Sequence, residues 1–528
     1  MKKLMILILL NGFLSFVNGQ SVAINNDGSA ADSSAMLDIK NSGKGILIPR
    51  TSTATRIAIP SPAKGLMLYD TTTNSFWYHN GTAWAEVGGG AWNITGNSGT
   101  DSAINFIGTR DSKPLMIRVN NDPSGEINPL TNSTSFGLEA GRYHTTGVAN
   151  TAFGYLALQN TNIGTGNTAV GAEALLGNGT GSDNTAVGIA AMVYFNGDLN
   201  TAIGAGSLYG RYDSISGEST GSKNTAVGAD ALKTDSSGSE NVAIGYGALG
   251  SNVDGNKNTA VGNLSMYNHI SGSENTAVGY QALVSDSVGV NNVAVGAHAL
   301  DFNISGNYNV AVGHSALNSN TSGFYNSATG MEALYANTAG FSNTANGFRA
   351  LWKDRAGSEN TAIGVQALMN DSSGSQNVAM GVSALASNIT GHNNTADGGF
   401  ALNKNTTGSL NTATGGSALF SNISGANNTA LGTLAGYSST GDSNVFLGYS
   451  AGYLETGSNK LYIANSNTTA PLIGGDFSTG TVTINSVLKL TPGSAPSSPV
   501  EGTIYFDSTL HKLMCYAGST WHIVTWTP

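Results

Sequence analysis

The sequence predicts an all-β protein: a parallel β-roll or solenoid of 17-residue repeats, flanked by two small β-meander modules. Three observations carry that reading. The pentapeptide Asn-Thr-Ala-Val-Gly and its variants recur at Asn224, Asn241, Asn258, Asn275, Asn292, Asn309, Asn326, Asn343, Asn360, Asn377, Asn394, Asn411 and Asn428, in steps of 17 residues. A fixed period of this size marks a stacked-repeat architecture. Charged residues are only 10% of the chain while Gly numbers 71, so its polarity comes from Asn, Ser and Thr, which suit turns and strand faces. Finally, a shift of 437 residues carries Pro62, Gly65, Asp70, Gly81, Trp84 and Val87 onto Pro499, Gly502, Asp507, Gly518, Trp521 and Val524, so one small module occurs twice.

In chain order, residues 1–19 read as an export signal: Lys2 and Lys3, an apolar run over 4–10, then Val17-Asn18-Gly19 with cleavage before Gln20. The run is too short to cross ~30 Å of hydrocarbon. The mature chain is therefore expected to be secreted or extracellular, associated with a cell surface and without a transmembrane segment. Residues 20–44 form a polar lead-in and 45–87 a small β module with a tight turn at Asn80-Gly81. Residues 88–132 are a linker and transition, 133–464 the repeats, 465–498 a strand-like neck and linker, and 499–528 the second module. The module aromatics Phe76, Trp77, Tyr78 and Trp84, with Tyr505, Phe506, Tyr516 and Trp521, read as module cores before they read as a sugar platform. Cys515 is the one cysteine and has no internal partner. A formal charge of -10 without a basic stripe argues against nucleic acid as a partner.

Seventeen residues cannot hold two packed helices, which need ~34, so each repeat is expected to be one coil of two short strands and two turns. Alternation places positions two and four of the pentapeptide on one face and the Ala on the other. Ala226, Ala277 and Ala362 stand at a position fixed as Ala beside a variable neighbour, which implies a place with room for nothing larger. Gly228, Gly279 and Gly364 are expected at a corner that needs positive φ or close backbone approach, and Gly289 and its equivalents at the other corner. The Asn224, Asn275 and Asn360 column is expected to bond amide to amide along the stack at ~4.8 Å spacing, fixing register. Eighteen pentapeptides then make a rod of roughly 85 Å. An Ala-lined coil buries little apolar surface at ~25 cal/mol per Å². Packing against identical chains, as a homotrimer, is the expected remedy, with Ala282-Leu283, Ala299-Leu300 and Ala333-Leu334 as seam candidates. One step is irregular, the 24 residues from Asn200 to Asn224. It predicts a loop at 209–218, with Tyr209, Arg211, Tyr212 and Glu218 as the candidate binding loop.

The units Asn-Thr-Ala-Val-Gly at Asn224 and Asn-Val-Ala-Ile-Gly at Asn241 resemble the head repeats of trimeric autotransporter adhesins of the YadA type. That resemblance implies a left-handed parallel β-roll, a trimer, and attachment to host surfaces or matrix proteins. The 17-residue period is longer than that family's usual unit, and no heptad stalk is present. The flanking modules look like segments of phage tail-fibre-like and secreted bacterial surface proteins.

Catalytic signals dissolve into the repeat. Gly448-Tyr-Ser-Ala-Gly452 fits a nucleophile-elbow pattern, yet it parallels Gly432-Thr-Leu-Ala-Gly436, which has no Ser. Gly245-Tyr-Gly-Ala-Leu-Gly250 fits a dinucleotide-binding string but lacks a strand-helix setting. His79, His144, His269, His298, His314, His392, His511 and His522 show no metal-ligand spacing and are expected at surface positions. No enzyme activity, cofactor or metal is expected. The function expected is a secreted or cell-surface fibrous adhesin attaching to surfaces, glycans or matrix proteins. The alternatives are a phage tail-fibre-like or injection-particle fibre, and an ice-binding solenoid using the Thr column, which Val242, Val293, Val310, Ser327 and Val378 interrupt.

Overall fold

The computed structural model describes residues 21–88, 101, 106–143, 146–160, 162–213 and 217–525. The predicted export signal and the His144 position lie outside them. The chain divides into two units, residues 1–108 and 109–528.

The second unit is built on a parallel β-solenoid in which successive turns pair in register: Thr225 with Val242, Ala226 with Ala243, Val227 with Ile244, and so on. Each turn holds one three-residue strand, such as Thr276–Val278, where two had been expected. The rest of the turn is held by single backbone bonds to its neighbours: Leu283 N–H to Ala299 O at 3.0 Å, Ser285 N–H to Asp301 O at 3.0 Å, Asn291 N–H to Ser273 O at 3.1 Å. The reason is backbone hand. Beside its Gly, each turn carries residues with positive φ three times over, as at Gln281 (54°), Leu283 (54°) and Asn291 (56°). Such residues cannot continue a pleated strand, and a left-handed L-residue costs about 1–2 kcal/mol. Each of these three donates its N–H to an adjacent turn, Gln281 to Asn263 O at 3.1 Å, which offsets the strain.

The coil interior is Ala, Ala and Leu: Ala277, Ala282 and Leu283 are each 0% exposed, as are their counterparts along the array. The Ala-Leu pairs therefore cannot be an interchain seam, because they point into their own coil. One departure shows how tightly the volume is set. Gly436 and Gly452 replace the core Leu, and Phe446 replaces the core Ala between them. A Cβ on either Gly would strike the Phe446 ring at 2.5 Å or less, so the large ring fills what the missing Leu side chains vacate.

Antiparallel meanders close both ends of the ladder. Leu115–Val119, Asp122–Asn128 and Ser133–Phe136 lead into the first turn. Lys460–Ile463 continues the parallel ladder and then pairs antiparallel with Ile473–Asp476 and Thr481–Ile484. Terminal caps of this kind protect the open edges of a repeat stack.

In the first unit, Val22–Asn25 pairs in parallel with Leu37–Lys40 inside the stretch read as a lead-in. A four-stranded sheet follows, ordered Arg50–Thr51, Met67–Asp70, Ser75–His79, Trp84–Glu86. The short helix Thr53–Ile57, capped by Ser52, lays Arg56 over it. The Arg56 guanidinium sits 3.6 Å from the Trp77 ring centre, and Arg56 Nε donates to Asp70 Oδ2 at 2.8 Å. The C-terminal copy keeps the strands Ile504–Asp507, Lys512–Ala517 and Thr520–Ile523. It has Gly493 where the shift places Arg56, and there Tyr505 Oη donates to Asp507 Oδ2 at 2.6 Å instead.

Candidate attachment surface

The site residues named from the repeat are structural in the geometry they adopt. Asn275 Oδ1 accepts the Asn292 backbone N–H at 2.9 Å, and its Nδ2 donates to Gly289 O at 2.7 Å. Asn224 and Asn360 repeat this pattern with Gly238 and Gly374. The column is thus mainly amide to backbone, and amide to amide only in places, as from Asn275 Nδ2 to Asn258 Oδ1 at 3.2 Å. Gly228, Gly279 and Gly364 have φ of 133°, 140° and 133°, and a Cβ at Gly279 would lie 2.6 Å from Gly296 O. Gly289 needs no positive φ. It is Gly because a Cβ would meet Asp286 Oδ1 at 2.4 Å and Gly306 O at 2.7 Å.

Asp286 belongs to a second buried polar column that periodicity alone did not reveal. Asp235, Asn252, His269, Asp286, Asn303, Asn320, Asn337, Asp354, Asp371, Asn388, Asn405 and Asn422 follow one another at 17-residue steps, each 0% exposed. Asn rungs donate Nδ2 to the rung before, as Asn303 does to Asp286 Oδ1 at 2.8 Å and Asn320 to Asn303 Oδ1 at 2.7 Å. His269 joins as a rung: Nε2 donates to Gly272 O at 2.8 Å and Nδ1 faces Asp286 Oδ2 at 3.1 Å. His269, like the buried His79, corrects the expectation that the histidines lie at the surface. The sequence signal was present, an Asn or Asp eleven residues after most pentapeptide Asn residues, but its chemistry varies from rung to rung.

With the interior closed, any recognition falls to the outside, where three features stand out. The predicted loop is a hairpin, Tyr212–Asp213 against Gly217–Glu218. Its base is braced: Tyr209 packs edge-on against Tyr194 at 5.5 Å, Asn196 donates to Glu218, and Arg211 N–H donates to Ser219 Oγ at 2.8 Å. Burial raises the Glu218 carboxyl and the Tyr209 phenol above their usual values. Tyr209 and Glu218 are thus committed to holding the hairpin, Arg211 is exposed, and the Tyr212 side chain lies outside the description.

The strand face is the second feature. Positions two and four point outward along the whole ladder, giving mostly Thr or Val beside Val or Ile, with Val278, Val295 and Val312 each 37% exposed. The third is an aromatic corner the sequence reading passed over. The residue two before each Asn is mostly small and polar and accepts a backbone N–H from the preceding turn, as Asn307 Oδ1 does from Val290 and Ser375 Oγ from Ser358. Phe324 and Phe341 take that place on consecutive turns, stacked at 5.1 Å. Tyr308 and Tyr325 stack beside them, also at 5.1 Å, and all four rings are exposed.

The pocket where Lys460–Ile463 meets Ile473–Asp476 is lined by its own ion pair. Within its volume of about 300 Å³, Lys460 Nζ contacts Asp476 Oδ2 at 2.7 Å and Tyr462 Oη donates to Glu455 Oε2 at 2.7 Å. Burial and that carboxylate push the Tyr462 phenol up to about 12, while Lys460 and Ser478 hold Asp476 well below the usual carboxylate range. Among the described residues no cluster of three or more His, Cys, Asp or Glu has metal-site geometry, and no helix is long and apolar enough to cross a membrane.

Residues 23–102 match the family described as the phage tail like trimerisation region. No curated protein matches the chain. The matched stretch covers most of the first unit's described residues and none of the solenoid. A parallel solenoid joined to such a region fits a tail-fibre-like, trimeric β-structure.

Proposed function

We propose that this chain is the protomer of a trimeric, secreted, non-catalytic attachment fibre, an adhesin whose solenoid displays recognition groups at a cell surface. The observation that carries this reading is the division of labour within each turn. Inward positions are mostly Ala, Leu and Asn, and the pentapeptide Asn bonds inside the coil, while outward position four runs from Val278 through Thr329, Asn346 and Met380 to Asp397 without disturbing the register. A frame that tolerates any outward side chain suits recognition of a surface, a glycan or a matrix protein. The test is binding of the full-length protein to glycan and matrix-protein arrays, repeated with residues 211–218 shortened to the regular step. Array binding that falls with the hairpin assigns recognition to it, binding kept by the shortened form assigns it to the other outward surfaces, and no binding at all overturns the adhesin reading.

The similarity of residues 23–102 to a phage tail region favours a second reading, a fibre of a phage-tail-like particle. Co-purification with a contractile sheath would decide for it. The ice-binding alternative draws on the in-register outward Thr column and predicts thermal hysteresis.

A further inference from the structure

The first unit lacks what the solenoid has, a hydrophobic interior of its own. Among its described residues Leu68 is the one buried large hydrophobic, and the other buried side chains are Arg56, Asp70 and His79. The sheet explains why. Alternation along Met67–Asp70 and Ser75–His79 sends Leu68, Asp70, Trp77 and His79 to the face that the helix covers through Arg56. It sends Met67, Tyr69, Phe76 and Tyr78 to the other face, which no element among the described residues of the unit covers: Met67 is 46% exposed, Phe76 48% and Tyr78 38%. Tyr69 and Phe76 are cross-strand partners in edge contact at 5.2 Å. Ile46 and Leu47, 63% and 78% exposed, extend the apolar surface across a concavity of about 310 Å³ against Tyr69 and Phe76. A contiguous apolar face of this kind on a small sheet is an association surface.

The chain supplies a second observation in its own duplicate. The 437-residue shift carries Met67, Tyr69, Phe76 and Tyr78 onto Ile504, Phe506, Leu513 and Cys515. The C-terminal copy has lost the helix and Arg56, yet these four positions stay apolar, and they again share one face of the meander, with Ile504 49% exposed.

We propose that the bare face carrying Met67, Tyr69, Phe76 and Tyr78 is the intersubunit seam, covered by the same face of two further copies of this chain around a threefold axis. This rests on the trimeric reading above and adds the location: the chains are clamped at the N-terminal module and not along the solenoid. The match of residues 23–102 to a trimerisation region argues for copies of the chain as the occupant over a foreign partner. Closed cyclic packing is how a repeated apolar face buries itself without leaving a free edge.

The test is sedimentation equilibrium of the full-length chain beside the double variants Phe76→Asp with Tyr78→Asp, and Val278→Asp with Val295→Asp on the solenoid strand face. All four side chains are exposed in the single chain, so neither pair needs to alter the chain's own fold, and circular dichroism checks this. The expected result is a wild-type trimer, with association weakened on the order of 100-fold or more by the sheet-face pair and unchanged by the solenoid pair. A trimer that survives the sheet-face pair overturns the inference while leaving the trimeric reading intact. A monomeric wild type overturns both.

Discussion

Replacing Asp371 with Asn should stabilise the solenoid, and the gain should grow with pH. Asp354 and Asp371 occupy successive rungs of the second buried column. Each uses Oδ1 to accept the N–H of the Gly three residues on, at 2.7 and 2.8 Å, but Asp371 Oδ2 has no hydrogen-bond partner. Elsewhere an Asn on the next rung supplies a donor, as Asn252 does to Asp235 Oδ1 at 2.8 Å; once ionised, Asp371 has none to offer Asp354. Burial first, and the Asp354 charge second, raise the Asp371 carboxyl to about 7. Burial raises Asp354 to about 6. The folded value lies above the ordinary 3.8, so the unfolded chain ionises first. The stability tied to the protonated form is therefore complete below about pH 4 and is lost as pH rises through about 7. A gap of about three pH units at ~1.36 kcal/mol each puts the full loss at about 4 kcal/mol, an upper figure because the two acids titrate together. The Asn variant keeps the donor at every pH. Hydrogen exchange across residues 354–388, read at about pH 4.5 and about pH 8, should show equal protection of the two proteins in acid and greater protection of the variant in base. Equal exchange at both values, or a variant that opens more readily at about pH 8, refutes the reasoning.

Asn275→Ala should cost about 2–6 kcal/mol, because it leaves the buried Asn292 N–H and Gly289 O unpaired at ~1–3 kcal/mol each; Thr276→Ala on the outward face should stay within ~0.5 kcal/mol in the same urea titration. Gly279→Ala, with φ of 140° and a Cβ 2.6 Å from Gly296 O, should part the two turns locally, seen as lost exchange protection at Thr276 and Gly296, whose N–H groups bond Asn292 O and Val278 O across that seam, with distant turns unchanged. Desolvation opposes the charge on Asp70, but the bonds from Arg56, Thr53 and the Thr72 and Thr73 N–H groups prevail and hold the carboxyl at about 2. Stability from that bridge should thus be present above about pH 4 and lost as pH falls through about 2, reported by Trp77 fluorescence as Arg56 leaves its ring. Deleting residues 276–292, one whole repeat, should shorten the solenoid by ~4.8 Å and leave its circular dichroism intact, whereas deleting 276–283 should break the register and lose it.

Legibility in the sequence followed chemical uniformity. The period, the inward Ala, the Asn column and the two Gly corners are carried by residues that hardly vary, so comparing the copies within the chain was enough to place them. The single strand per turn was not legible, because Gln281, Leu283 and Asn291 take positive φ and nothing in a Leu announces a left-handed backbone. The second polar column hid for the opposite reason. Asn, Asp and His all fill the same rung, since each can meet the Gly corner three residues on with a donor or an acceptor. On the outside, Tyr209 and Glu218 were drawn from an insertion that breaks the period, and the structure uses them as braces. The aromatic corner at Phe324 and Phe341 breaks no period, only a polar column that had not been recognised as one.

The Ala-Leu pairs face their own coil and make no interchain seam, and the reason bears on how the turns are held together. An Ala-lined coil buries little apolar area per turn, but area is not its main resource. Each turn also closes two buried side-chain columns, of Asn and of Asn, Asp or His, and rings itself with backbone bonds to both neighbours. Hydrogen bonds made in a dry interior are costly to lose, so the coil gains its cohesion along its own axis and can leave Val278 and Val295 in water. The shortage of apolar burial lies instead in the first unit, where a sheet carries Met67, Phe76 and Tyr78 on a face that no described element of the unit covers. A chain that is self-sufficient in its shaft and deficient in its end module is organised for clamping at the end. The outward surface of every turn then remains open to whatever the fibre meets.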